Sequence, residues 1–177
     1  MAQHDLAAAI ERNAAVLRRR PEFGLQDDAP AAARWQGGTR IVAEHANGAQ
    51  MATDMPTELG GSGDQVTPGW LFRAGLASCA ATSIVMAAAA EGIDVSALEV
   101  WAHSRSDTRG LLGLAGADGL PVYGGPRDVQ LQVRIAAHGV APERLRALVH
   151  DGLRRSPIPN AVQHATPLAV HIDVDAA

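Results

Sequence analysis

The chemistry open to this chain is concentrated in one sulfur. Cys79 is the only cysteine and lies in the middle of the run PGWLFRAGLASCAATSIVMAAAA, where Phe72, Leu76, Cys79, Ser83 and Met86 recur on one stripe at helical spacing. A thiolate is a nucleophile and a reductant, so this position suits thiol chemistry. A free cysteine also packs as a small hydrophobe, and the helix by itself leaves both roles open. An unperturbed thiol, with a pKa of about 8.5, is only a few per cent thiolate at neutral pH. Cys79 sits roughly three turns from the helix start, beyond the reach of the N-terminal dipole, so activation requires a cation from elsewhere in the fold.

Composition removes several other chemistries. All 15 basic residues are arginine, and the absence of lysine excludes Schiff-base chemistry, a lysine-bound pyridoxal cofactor and a Walker-type phosphate loop. A lone cysteine makes no intramolecular disulfide framework and no cysteine-rich metal site, and the seven histidines lack metal-ligand spacing, so neither metal nor resident cofactor is expected. No Gly-x-Ser-x-Gly elbow is present, and Gly60, Gly61 and Gly63 lack the strand-turn-helix setting of a dinucleotide fingerprint. The net charge of −4 gives no basic field for nucleic acid or an anionic membrane, and Arg18 to Arg20 reads as the basic end of a helix. The N-terminus lacks a signal-peptide pattern, and the charge-free run from Ala74 to Ala90 is shorter than a spanning helix needs. A cytoplasmic protein is the expectation, and 47% hydrophobic composition over 177 residues suits one domain with a real core.

The elements that must position Cys79 follow from local signals. Thr67 is the expected N-cap of the central helix, Pro68 its first residue and Gly92 its left-handed stop; only Arg73 and Glu91 are charged between them. A helix so apolar should be wrapped on several sides. Before it, a helix from about His4 to Arg19 ends at Pro21, and Pro21 to Pro30 reads as a linker. Strand-like runs follow at Ala33 to Gln36 and Thr39 to His45, and Asn47-Gly48 turns the chain into a third at Gln50 to Asp54. Asp54 to Val66 is a candidate site loop. After the central helix, Leu98, Val100 and Ala102 alternate with outward residues, as do Val129, Leu131, Val133 and Ile135, predicting an antiparallel pair. The six-glycine connection from Asp107 to Pro126 is mobile or functional. A helix over Ala141 to Leu153, with Leu145, Leu148, Val149 and Gly152 inward, and a last strand at Leu168 to Val174 complete an α+β domain. The expected division is a helical extension and linker at 1–30 and a domain at 31–177.

In this order, MPTELGG leading into TPGWLFRAGLASC, the LEV strand, SRSDTRGLLG, the second helix and SPIPNAV resemble the OsmC/Ohr family, the osmotically induced and organic hydroperoxide resistance proteins. The resemblance covers about Arg34 to Asp175. It implies antiparallel sheets wrapped around a long Cys-bearing helix in an intertwined homodimer, with the sites at the subunit interface. Chemically it implies a thiol peroxidase for small organic hydroperoxides, in which a thiolate becomes a sulfenic acid and is resolved by a second cysteine, with lipoyl or other low-molecular-weight thiols as reductant.

On that resemblance Cys79 stands at the attacking position, and Arg40, one residue displaced, at that of the thiolate's cationic partner, with Arg34 as the alternative. Two positions depart from the pattern. Ser156 precedes Pro157 where the resolving cysteine should stand, and Gly69 follows Pro68 where the peroxidase branch has a glutamate; Glu58 is the candidate replacement carboxylate. A hydroxyl cannot condense with a sulfenic acid to a disulfide, so an enzyme of this sequence works with a single cysteine and an external thiol. The other reading is a non-catalytic member that binds a small apolar molecule at the dimer interface, with Cys79 lining the pocket. The resemblance also places Ser156 close to Cys79 in space.

Overall fold

The central helix forms where its sequence marks it. In the computed structural model, which describes residues 3–175, α2 spans Pro68–Ala90. Thr67 caps it, its hydroxyl accepting from Trp70 N–H at 3.1 Å, and Pro68 occupies the first turn, where no N–H is needed. At the other end Gly92 adopts φ +67°, with Ile93 N–H on Ala88 O and Gly92 N–H on Ala89 O. Those two bonds satisfy the last carbonyls in the pattern that favours glycine at this position. At 23 residues α2 exceeds the charge-free run within it and is long and apolar enough to cross a bilayer by length and composition. Here it is instead the central element of the fold, packed by helices and a strand.

Ahead of α2 come α1 (Gln3–Arg19), a short turn of helix at Pro21–Gly24, and the strands β1 (Ala32–Trp35), β2 (Ile41–Glu44) and β3 (Gln50–Thr53). The three strands form one antiparallel sheet in chain order, with Trp35 opposite Ile41 and Ile41 opposite Thr53. β1 is shifted one residue towards the N-terminus, and β2 and β3 are shorter than the sequence predicts, because Gln36 and Arg40 bond across the first turn and Asp54 leaves the sheet to make side-chain bonds. Helix α1 packs against α2 rather than standing apart from it.

After α2, β4 (Val95–Arg105) and β5 (Arg127–Ala137) pair antiparallel, with Val100 opposite Val133. Leu98, Val100 and Ala102 of β4 and Val129, Leu131, Val133 and Ile135 of β5 are partly buried between exposed neighbours, the alternation that the sequence predicts. The glycine-rich connection between these strands holds only a short helix, α3 (Thr108–Leu111), and leaves Leu112, Leu114, Leu120 and Tyr123 exposed. Helix α4 (Pro142–Arg154) then lays Leu145, Leu148 and Gly152 on α2, with Val149 half-buried beside them, and α5 (Pro157–Gln163) follows.

The core lies between α2 and α4. Ala87, Ala88, Leu145 and Leu148 form its centre, covered by Ile93, Val95, Ile135, Ala137 and Val140. Leu148 is fully enclosed, so truncation to alanine should cost about 2–5 kcal/mol. The two helices approach closely because Gly152 carries no side chain; a Cβ there would lie 2.8 Å from Ile84 Cα.

Helix α2 is covered on several sides, as expected, by α1, α4, α5 and β4; its buried face is Leu76, Ala80, Ile84 and Ala87 to Ala89, whereas Cys79 is half-buried and Met86 exposed. One expectation is corrected. The segment Leu168 to Val174 alternates as a strand should but forms none, and Leu168 and Ile172 are 89% and 79% exposed. Alternation records which faces differ in polarity, and a strand also needs an edge to pair with, which this chain alone does not bring to the segment.

Candidate functional site

The turn between α4 and α5 is built to meet Cys79. Its sequence, Ser156-Pro157-Ile158-Pro159, leaves Ile158 as the only residue of the first three in α5 with a backbone N–H. That N–H points at Cys79 Sγ from 3.5 Å. Ser156 is the N-cap residue of α5, yet its hydroxyl makes no bond to its own helix. It donates instead to Cys79 Sγ at 3.2 Å, and the serine is 0% exposed. Asn160 fixes the turn, its Nδ2 donating to Arg154 O and Ser156 O, both at 2.9 Å. The sulfur is thus half-buried between two hydrogen-bond donors, one a hydroxyl and one a backbone N–H.

An apolar cavity of ≈ 440 Å³ is lined by neighbours of Cys79, though not by Cys79 itself. Gly75, one turn before Cys79, lines it together with Leu71 and Phe72 of α2, Ile41 and Ala43 of β2, and Ile158, which also contacts the sulfur through its N–H. Its walls offer almost no polar group, so it suits an alkyl or aryl chain better than a polar ligand.

Arg40 stands in a separate polar clasp. Its Nη2 donates to Asp54 Oδ2 at 3.0 Å and Ser62 Oγ at 2.6 Å and pairs with Asp64, and its Nε reaches Asp54 Oδ2 at 3.3 Å. Asp54, only 3% exposed, also accepts from Thr39 Oγ1 at 2.5 Å, Ser62 Oγ at 2.6 Å and Met55 N–H at 2.8 Å. These bonds, from Ser62 first and Thr39 next, hold its carboxyl far below the ordinary carboxylate range against the opposing effect of burial. Asp64 is lowered mainly by Ser62, with Arg40 adding to it, and Arg40 is raised by Asp54 and then Asp64. The clasp closes the loop from Asp54 to Val66, whose ends are joined by Asp54 N–H on Val66 O. None of the hydrogen bonds of Arg40 goes to Cys79.

The remaining sequence candidates lie apart from the sulfur. Arg34 pairs with Glu44 across β1 and β2 on an exposed face. Glu58 is exposed on the short helical turn Thr57–Leu59, and the carboxylates that hold Arg40 are Asp54 and Asp64. Gly69 lies in the first turn of α2, where a Cβ would make ordinary contacts with Arg73 Nη1 at 3.8 Å and Thr67 Oγ1 at 3.9 Å. Sequence reasoning had not picked out Asp54, Ser62 and Asp64, although two acids and a serine within a glycine-rich loop are a recognisable signal for an arginine partner. It also missed Ile158, whose N–H matters only because prolines flank it.

Comparison with known proteins bears on this arrangement. A family model described as OsmC-like protein matches residues 61–171. No curated protein matches the chain. Among solved structures, an OsmC-like protein from Mycoplasma pneumoniae is 18% identical with a TM-score of 0.64, covering 78% of this chain and 89% of that one. An organic hydroperoxide resistance protein from Elizabethkingia anophelis is 23% identical with a TM-score of 0.60, covering 78% and 90%. An organic hydroperoxide resistance protein OsmC from Legionella pneumophila is 24% identical with a TM-score of 0.56, covering 78% and 91%. At these identities the likeness is one of fold.

Proposed function

The chain belongs to the OsmC-like protein family, and from that premise we propose that it is a single-cysteine thiol peroxidase acting on small organic hydroperoxides. The observation that carries this reading is the pair of donors on Cys79 Sγ, with Ser156 Oγ at 3.2 Å in the place of a resolving cysteine. The Cys79 thiolate attacks the distal oxygen of the hydroperoxide; the S–O bond forms, the O–O bond breaks, and the alkoxide leaves to take up a proton as the alcohol. Cys79 is then a sulfenic acid. Ser156 cannot displace its hydroxyl, so an external thiol attacks the sulfur, releasing water and leaving a mixed disulfide that a second thiol equivalent reduces. The apolar cavity beside Gly75 and Ile158 takes the alkyl or aryl group of the substrate.

This reading includes a homodimer. Trp70 and Met86 on α2 and the alternating apolar residues of Leu168 to Val174 are exposed in a single chain, an apolar surface that a second copy would cover. Arg40 makes no hydrogen bond to Cys79 of its own chain, so this reading gives it a part in activating the thiol only across such an interface. Sedimentation showing a folded monomer at micromolar concentration would remove this part of the proposal.

A second reading is favoured by the nearly all-apolar lining of that cavity: a binding protein for a small apolar molecule, in which Cys79, outside the lining, does no chemistry. Turnover separates the two. Consumption of cumene hydroperoxide driven by dihydrolipoamide, absent in Cys79→Ser, supports the peroxidase; saturable binding of cumyl alcohol without turnover supports the binding protein.

A further inference from the structure

A larger cavity, of ≈ 500 Å³, opens beside the first turn of α2 and is not lined by Cys79, Ser156 or Ile158. Its walls are mainly apolar, from Met55, Pro56, Leu59, Phe72, Leu111 and Pro126. Its volume falls within the range of small-molecule sites. Two charged side chains also line it, Arg73 and Asp107.

The two charges differ in how they are matched. Asp107 is committed to Arg109, whose Nε donates to Oδ1 at 3.0 Å and Nη2 to Oδ2 at 2.6 Å, holding the carboxyl down at about 2. Arg73 donates only to the neutral Ser104 Oγ at 3.3 Å, and among the described residues no carboxylate pairs with it. A half-buried guanidinium with five N–H donors at an apolar wall is an anion site waiting for a counter-charge.

Position 69 accounts for the unmatched charge. It lies one turn before Arg73, and a glutamate here, as in the peroxidase branch that the sequence resembles, would form an i,i+4 pair with the arginine. This chain has glycine, and a Cβ built on it would lie 3.8 Å from Arg73 Nη1, an ordinary contact. The glycine therefore removes both a competing carboxylate and the volume it would fill.

We propose that this cavity binds a small amphipathic carboxylate, its head group on the Arg73 guanidinium and its aliphatic chain along the apolar wall. The planar fork of the guanidinium matches a carboxylate with two parallel hydrogen bonds. Neither Cys79, Ser156 nor Ile158 of the same chain lines the cavity, so octanoate binding is measurable with the thiol removed, separately from any peroxidase turnover.

Calorimetric titration with octanoate and with 1-octanol tests it. The parent protein binds one octanoate per chain at least tenfold more tightly than octanol. Arg73→Gln erases that advantage by removing the cation and leaves octanol affinity unchanged; Gly69→Glu erases it by supplying an internal carboxylate, and weakens octanol as well because the new side chain takes up cavity volume. Arg73 is half-exposed, so Arg73→Gln folds and decides the matter even if Gly69→Glu does not. Cys79→Ser binds octanoate as the parent does. The proposal is overturned if octanoate does not saturate, if Arg73→Gln binds it unchanged, or if Cys79→Ser loses it, which would place the head group at the sulfur.

Discussion

Replacing Ser156 by cysteine should turn a protein that stops at the sulfenic acid into one that resolves itself. The Ser156 Oγ and Cys79 Sγ atoms are 3.2 Å apart, against the roughly 2.05 Å of a disulfide. A closure of about 1.2 Å is needed, part of it supplied by the longer carbon–sulfur bond of the new side chain. On treatment with one equivalent of hydroperoxide, the Cys79 sulfenic acid condenses with the new thiol, releasing water and forming the bridge. The bridge closes a loop with a sequence separation of 77 residues. The chain-entropy relation gives about 4.5 kcal/mol of stabilisation for a loop of that length before any native strain. For a domain of this size that raises the melting temperature on the order of 10 °C. Intact-mass analysis reads the loss of two hydrogens, and thermal scans with and without reductant read the shift. A variant in which both thiols stay open to alkylation after oxidation would refute the geometry, and a bridge that lowers the melting temperature would show that its strain exceeds the entropic gain.

Other outcomes follow from particular contacts. Ser156→Ala removes the shorter of the two hydrogen bonds to Cys79 Sγ, an interaction of roughly 0.5–1.5 kcal/mol, and so should slow Cys79 alkylation near neutral pH by about two- to tenfold; an unchanged rate would remove Ser156 from the activation scheme. Gly152→Ala sets a Cβ 2.8 Å from Ile84 Cα and should destabilise by about 1–3 kcal/mol in denaturant titration, despite alanine's better helix propensity; a gain in stability would mean the helices separate freely. Asp54 has a folded pKa below its ordinary 3.8, so its contribution is complete above that value and falls away as pH drops below it. The difference in melting temperature between the parent and Asp54→Asn should be constant from pH 7 to about 5 and shrink towards pH 3. A difference that persists undiminished at pH 3 would assign the clasp to packing instead of charge.

Much of the fold was legible because its elements rest on local chemistry. Thr67-Pro68 and Gly92 mark both ends of α2, and the alternation in β4 and β5 gives their faces correctly. The proximity of Ser156 to Cys79 came from the resemblance of SPIPNAV to a family motif, because no local rule connects residues so distant in sequence. What was not legible depends on partners. Leu168 to Val174 carries the pattern of a strand without an edge to pair with, and the stripe holding Cys79 and Met86 looks buried by composition although one chain covers the neighbouring stripe instead. The clasp was half visible: Arg40 stood out through the resemblance, whereas Asp54, Ser62 and Asp64 become its partners only when the loop from Asp54 to Val66 closes on itself.

The central claim, that Cys79 is a reactive thiol which this chain cannot resolve alone, is tested most directly by treating the reduced protein with one equivalent of cumene hydroperoxide and dimedone at neutral pH and weighing it intact. The account predicts a single dimedone adduct on Cys79, one equivalent of cumyl alcohol, no intramolecular disulfide, and neither adduct nor alcohol with Cys79→Ser. An unmodified protein with the hydroperoxide left intact would contradict it.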